Sequence, residues 1–334
     1  KTILVANPNW WDKPVHNLPE VIFTPVANPA TRVAALKAGD IDMTYEVPPA
    51  DTESLKRDAN IKVLEGPETR VVFLGFDQER PELLESNVKG KNPFKDTKVR
   101  EAIHRSIDVD AIKRTVMRGQ SFPTDLMVAP GINGYMKELD KRPPLLKPEE
   151  AKKMLADAGY PNGFEVGMDC PNDRYVNDEK ICQAVVAMLA KIGIKVNLRA
   201  QTRNLYFAKI LRSTSDGKPS NTSFYMLGWS PAQTYDVHNV FEALIQTPNK
   251  ATKKGQFNAG GYSNPALDKL ADAMEQETDK AKRDAMIKEA TKLYVDDFAY
   301  VPLHQQAVVW AARKNIDLVQ PADNSFPLRF VNVK

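Results

Sequence analysis

Between residues 148 and 229 the chain alternates helix and strand through very short links, and that alternation limits the fold more than any other feature. "PEEAKKMLADAGY" reads as a helix, with Pro148 in its first turn and Gly159 just past its end. "GFEVGMDC" reads as a strand. "NDEKICQAVVAMLAKIG" follows as a helix whose Ile181, Val185, Met188 and Ile192 fall on one stripe. "IKVNLRA" predicts a second strand, "RNLYFAKILRS" a helix and "TSFYMLGWS" a third strand. Strands joined through helices in this way form a parallel sheet with right-handed crossovers. In such sheets ligands gather beyond the carboxyl ends of the strands. Those ends are residues 171–177, 201–204 and 230–239.

The flanking segments fit the same α/β class. In "NPATRVAALKAGDIDMTYEV", Asn28 predicts an N-cap, Pro29 the first helical residue and Gly39 the stop, with Val33 and Leu36 on one face. "IDMTYEV" and "TRVVFLGFD" read as strands, with a loop and a short helix between them. Two helices are predicted over 94–119, capped by Asp96 and Asp108 and stopped by Gly119. Their bases Arg100, Arg105, Lys113 and Arg114 alternate with Glu101, Asp108 and Asp110, which reads as a solvated face, because acids among the bases repel phosphate. Two further helices are predicted over 264–297 and a long strand over "AYVPLHQQAVVWAA". Lys and Arg number 46 against 43 acids, a net charge of +3, too balanced for a polyanion partner. No apolar run approaches the roughly 18 residues of a membrane span. The opening "KTILVANPNWWDKP" is neither an initiator Met nor a signal peptide and reads as a cut, made by processing or by choice of fragment.

Catalytic and metal signatures are missing. The four histidines, His16, His104, His238 and His304, have no HxxxH or HExxH spacing. No G-x-S-x-G elbow, phosphate loop or dinucleotide fingerprint occurs, and the Ser of "LGWS" reads as a plain strand end. No metal, cofactor or nucleic-acid partner is therefore expected, although an unrecognised α/β enzyme remains an alternative class. At the strand ends, Trp229 and Tyr235 read either as stacking surfaces for a ligand or as lobe packing. Asp173 and Arg174 read either as ligand anchors or as loop braces, and Asn204, His238 and Asn239 share the same loops. Asp236 reads as an acceptor for a ligand hydroxyl or amine, while Trp10 and Trp11 are expected to pack the first part of the chain.

Four stretches in register, "RVAALKAGDIDM", "NPFKDTKVREAIHRSIDVDAIKRTVMRG", "KPEEAKKMLADAGYPNGFEV" and "YVPLHQQAVVWAA", resemble the peptide-and-nickel-type (family 5) extracellular solute-binding proteins of ABC importers, along nearly the whole chain. The resemblance implies an α/β periplasmic binding protein-like fold of type II, cluster C, whose two lobes close on a ligand. It places residues 1–76 at the end of the first lobe's N-terminal portion, 77–306 in lobe II and 307–334 in a return to lobe I, with the upstream half of lobe I absent. It implies no enzyme but a periplasmic, substrate-binding component that takes a peptide or peptide-like small solute to a membrane permease. Some members carry nickel complexes or haem, which is the alternative ligand class. Two departures stand out. Lys147 replaces the aspartate that usually caps the helix before Pro148, and Pro231, Ala232 and Gln233 occupy the place of the aspartate that holds a peptide's amino terminus. The ligand implied is then something other than an ordinary free-amine dipeptide, such as a modified peptide or a sugar-bearing compound.

In an exported protein an even pair of cysteines favours a disulfide. Cys170 ends a predicted strand and Cys182 lies in the second turn of the next helix, within possible bonding range, with two buried thiols as the other reading.

Overall fold

The computed structural model describes residues 1–211 and 219–334. The strand Phe164–Pro171 pairs in parallel with Ile194–Gln201 along its whole length, and on its other side in parallel with Phe224–Trp229. The third strand thus returns beside the first. Beyond it the sheet turns mixed: Val71–Phe76 of the long strand Ile61–Phe76 run antiparallel to it, from Val71 opposite Trp229 to Phe76 opposite Phe224.

Side chains alternate across this sheet, and both faces are covered. Val72, Leu74 and Phe76 join Val166, Met168, Met226 and the helix residues Ile181, Val185 and Leu189 in one core. Phe73, Tyr225 and Leu227 point the other way, into a core with Tyr206, Leu267, Ile287 and Tyr300. A strand buried on both faces reads as an unbroken apolar run, which is why "VVFLGF" shows no alternation of polarity. Full burial of a phenylalanine such as Phe73 or Phe76 contributes roughly 1.5–3 kcal/mol each.

The helices form where the capping residues direct. Pro148–Asp157 ends before Gly159 at φ +93°, and Asp178–Ala190 and Arg203–Ile210 follow their strands. Arg212 and Ser213, the end of the predicted third helix, lie outside the described residues. Asp96 accepts the Lys98 N–H at 2.8 Å and Asp108 that of Ala111 at 2.7 Å. One part of the basic-face expectation is wrong. Arg100 is 4% exposed, donating to the carbonyls of Phe94, Asp297 and Phe298 and to the Thr97 hydroxyl. The Asp297 and Phe298 carbonyls lie just past the end of the helix Lys280–Asp296, so the guanidinium caps that terminus.

The chain divides into two units, residues 69–305 and residues 1–68 with 306–334. It passes between them inside the strands Ile61–Phe76 and Tyr300–Arg313, at 68/69 and 305/306, beside the lobe bounds of 76/77 and 306/307 that the resemblance implies. In the smaller unit Asn28 accepts the Thr31 N–H at 3.1 Å, and the helix Pro29–Ala38 stops at Gly39, φ +86°. Its Val33 and Leu36 pack with Val47, Leu55 and Ile61. The strand read over "IDMTYEV" is only Met43–Thr44. The hairpin Thr2–Val5 with Glu20–Phe23 has no strong signature in the sequence. Trp10 and Trp11 do not pack as expected: they are 54% and 82% exposed, in the connection between the hairpin strands, with their rings 5.5 Å apart and tilted at 39° to each other.

Candidate functional site

Three parallel strands release their loops on the same edge of the larger unit, after Pro171, Gln201 and Trp229. The helices Asp178–Ala190 and Arg203–Ile210 begin there too, so their free N–H groups and positive dipole ends face that edge. Two carboxylates take up part of this potential. Asp173 Oδ1 accepts the Arg203 N–H at 2.5 Å. Asp178 accepts the N–H groups of Arg174, Tyr175 and Glu179 at 2.9, 3.0 and 2.9 Å.

Tyr175 sits at the middle of the edge. Its buried hydroxyl accepts the Gly228 N–H at 2.9 Å and donates to the Gly228 carbonyl at 3.3 Å. Arg174 and Arg70 lie over its ring, 4.9 and 6.0 Å from the centroid, and Arg70 also donates to the Gly228 carbonyl at 3.3 Å. Glycine is required at 228, because a Cβ there would stand 2.7 Å from the Tyr175 ring. Burial pushes the Tyr175 phenol up; the two guanidiniums pull the other way without overcoming it. The Thr69 and Ser230 hydroxyls meet at 2.6 Å along the same edge.

The third loop is braced from within. Trp229 is half-buried; its indole N–H donates to Asn239 Oδ1 at 2.9 Å, and its ring lies 4.7 Å from that of Phe257. Asp236 Oδ1 accepts from Arg283 at 2.7 Å and from the His238 N–H at 2.8 Å, while Oδ2 accepts from Asn133 at 2.7 Å. Burial pulls the Asp236 carboxyl upward, but Arg283, the His238 amide and Asn133 outweigh it and hold it below the usual carboxylate range. His238 Nε2 stands 3.2 Å from the Ala271 carbonyl. Tyr235 adopts φ +51° and is 41% exposed, with its backbone tied to Pro231 and Asn133.

The eight residues singled out in the sequence therefore separate. Trp229 with Asn239, and Asp236 with His238, are joined in internal networks. Arg174 lies on Tyr175, and Asp173 on the start of the helix bearing exposed Asn204. Sequence reasoning missed Arg70, Tyr175, Asp178 and Gly228. Tyr175 and Asp178 were within reach, in the loop already marked by Arg174, whereas Arg70 arrives from a strand whose pairing the sequence does not announce.

Cys170 and Cys182 are joined by a disulfide, Cα to Cα 6.6 Å, so of the two states open to them the structure has the bonded one. Among the described residues no group of three or more His, Cys, Asp or Glu side chains is arranged to hold a metal ion, and no helix is long and apolar enough to cross a membrane.

The mixed sheet covered by helices on both faces has the fold of the type II periplasmic binding proteins. The match to known proteins is specific: residues 1–252 fit the model of the bacterial extracellular solute-binding proteins, family 5 (middle), and the chain belongs to that family. It is 25% identical over 307 residues to the glutathione-binding protein GsiB of Shigella dysenteriae serotype 1, covering 92% of this chain and 56% of that protein. It is 28% identical over 302 residues to the heme-binding protein A of Haemophilus influenzae, covering 90% of this chain and 50% of that one. The chain thus spans about half the length of these curated relatives. Among solved structures, the ABC transporter-associated periplasmic binding protein DppA from Helicobacter pylori, in complex with the peptide STSA, superposes with a TM-score of 0.82 at 23% identity, over 99% of this chain and 60% of that one.

Proposed function

We propose that this chain is part of the substrate-binding component of an ABC importer, working outside the cytoplasmic membrane, where it captures a peptide or peptide-like small solute and hands it to a membrane permease. In this reading residues 69–305 correspond to lobe II and the remainder to part of lobe I. One observation carries it: in a family of solute-binding proteins, Arg174, Tyr175 and Trp229 converge at the carboxyl edge of a parallel sheet. Arg174 supplies a charge for an acidic group, and Trp229 and Tyr235 supply apolar surface. Asp236, engaged by Arg283, braces the loop. The relatives' names supply the ligands to try, which are glutathione, heme and a short peptide such as STSA.

Calorimetry tests this with those three ligands on the intact protein. Binding of one of them should weaken by about ten- to a hundredfold in Arg174→Ala, the loss expected when a charge-assisted hydrogen bond of roughly 1.5–3 kcal/mol is removed. Trp229→Ala should weaken it as well. Affinity unchanged by both substitutions would place the site elsewhere, and heme as the preferred ligand would favour the heme-binding branch over peptide transport.

A further inference from the structure

The end of the strand Phe224–Trp229 is held by something other than a strand. Its parallel pairing with Phe164–Pro171 sets Met168 beside Phe224 and Asp169 beside Tyr225. Carried on at that offset, Gly228 would fall beside Asn172, one residue past the end of the neighbouring strand. There the Tyr175 hydroxyl takes over. It accepts the Gly228 N–H at 2.9 Å and donates to the Gly228 carbonyl at 3.3 Å, so one side chain replaces a rung of the sheet. Over the ring of the same tyrosine lies the Arg174 guanidinium, 4.9 Å from the centroid. We propose that Tyr175 is a positioning residue that joins Arg174 and Trp229 into one recognition surface: its ring seats the guanidinium, and its hydroxyl holds the strand end from which Trp229 emerges. The ligand this selects is a solute that carries an acidic group beside an apolar one. This rests on the reading of the edge as the ligand site.

Both halves of that role follow from the surroundings. A Cβ at position 228 would stand 2.7 Å from the ring, so the approach that brings the hydroxyl onto the backbone is open only to glycine. Tyr175 is 7% exposed, and burial pushes its phenol up, so the hydroxyl keeps its proton and remains a donor. Removing the hydroxyl takes an acceptor from a buried amide and a donor from its carbonyl, which keeps Arg70 at 3.3 Å. The next residue is Trp229, whose indole N–H is tied to Asn239 at the far side. For Arg174 the ring is the seat, because a guanidinium over a tyrosine face is drawn to its negative quadrupole. The backbone of Arg174 and Tyr175 is set separately, by the Asp178 carboxylate that accepts their N–H groups at 2.9 and 3.0 Å. A change confined to the Tyr175 side chain therefore leaves the loop backbone anchored and alters only what the ring and hydroxyl hold.

Two substitutions separate ring from hydroxyl in the intact protein, with glutathione, heme and the peptide STSA as calorimetric probes. Tyr175→Phe keeps the ring and should weaken the probe that binds by about fivefold, the size of a net neutral hydrogen bond. That loss should shrink to less than about twofold when Trp229 is already alanine, and persist when Arg174 is, because the hydroxyl acts through Trp229. Tyr175→Leu removes the ring as well. In that background Arg174→Ala should cost less than about threefold in place of about ten- to a hundredfold. A tyrosine that serves the fold alone would weaken binding equally in every background. That result, or Tyr175→Phe binding within about twofold of the wild type, would overturn the proposal. The Trp229 indole N–H resonance, assigned by its loss in Trp229→Phe, gives a readout without ligand. It should move in Tyr175→Phe while the resonances of Trp10, Trp11 and Trp310 stay, and an unmoved resonance refutes the hydroxyl's hold on Trp229. If none of the three probes binds, that resonance decides on its own. A resonance that moves while Arg174→Ala and Trp229→Ala leave every affinity unchanged sinks the edge reading alone. Arg174→Ala and Trp229→Ala that weaken binding while Tyr175→Phe does not sink the positioning role alone.

Discussion

Replacing Asp236 by Asn separates two roles that an acidic residue in the loop after Trp229 could have. In the structure the carboxylate is 2.7 Å from Arg283, 2.8 Å from the His238 amide and 2.7 Å from the Asn133 side-chain amide. An asparagine keeps one acceptor oxygen and turns an NH2 group toward Asn133 or Arg283, both of which donate. Arg283 then loses its charge partner, with side chains 19% and 24% exposed in the native pair. Hydrogen bonds to charged groups are worth about 1.5–3 kcal/mol. Discounted for that partial solvent screening, the expected loss is about 1.5–2 kcal/mol. Urea denaturation of the double-mutant cycle with Arg283→Met should return a coupling of about 1–2 kcal/mol. The pH arm has a defined sign. The folded Asp236 value is depressed, so the stabilisation is present above the ordinary carboxylate value and is lost as pH falls through the folded one. The gap between wild type and variant should therefore close in acid. Near-zero coupling combined with abolished ligand binding would refute the bracing role and return Asp236 to the ligand.

Two other outcomes follow from buried groups. The denatured, unreduced protein should show no titratable thiol, and Cys170→Ser with Cys182→Ser should lose about 3 kcal/mol in denaturant, the chain-entropy value for so short a loop. Burial depresses His304 to about 4, so as pH falls below the ordinary histidine value the unfolded chain takes up a proton that the fold refuses. That costs up to about 3 kcal/mol by pH 4, and His304→Gln should flatten the decline in a pH series of urea midpoints; an equal decline in both proteins would show that His304 does not titrate this way. Asp178 works in the opposite direction over an overlapping range, so the His304 comparison belongs in wild-type and Asp178→Asn backgrounds together.

Much of the fold was legible because its signals are local. Asn28, Asp96 and Asp108 cap through N–H groups two or three residues away, and Gly39, Gly119 and Gly159 stop their segments in the left-handed conformation. The parallel core was legible because the helices between its strands leave few other ways to connect them. The antiparallel partner of Phe224–Trp229 was not, since no turn signal joins it to residues more than a hundred positions earlier. Arg100 shows the same limit for charge. On its own helix it belongs to a mixed, solvated pattern, and its partners at 297 and 298 are invisible at any local spacing.

The site residues divide along that same line. A loop's position at the end of a parallel strand is topological and can be read from the order of segments. Whether a polar side chain in that loop faces a ligand or the fold depends on what arrives from elsewhere. Asp236 was an attractive ligand acceptor until Arg283, forty-seven residues on, occupied it. Tyr175 had no signature until Gly228 and Arg70 closed around it from two strands. The Arg174 guanidinium, by contrast, has its backbone fixed by Asp178 and its head group over an aromatic ring, with no carboxylate in salt-bridge contact among the described residues. A cation held in place on an aromatic platform at a sheet's carboxyl edge is preorganised to meet an acid. Of the eight residues picked from the sequence, Arg174 is therefore the one whose substitution should change ligand affinity most and stability least.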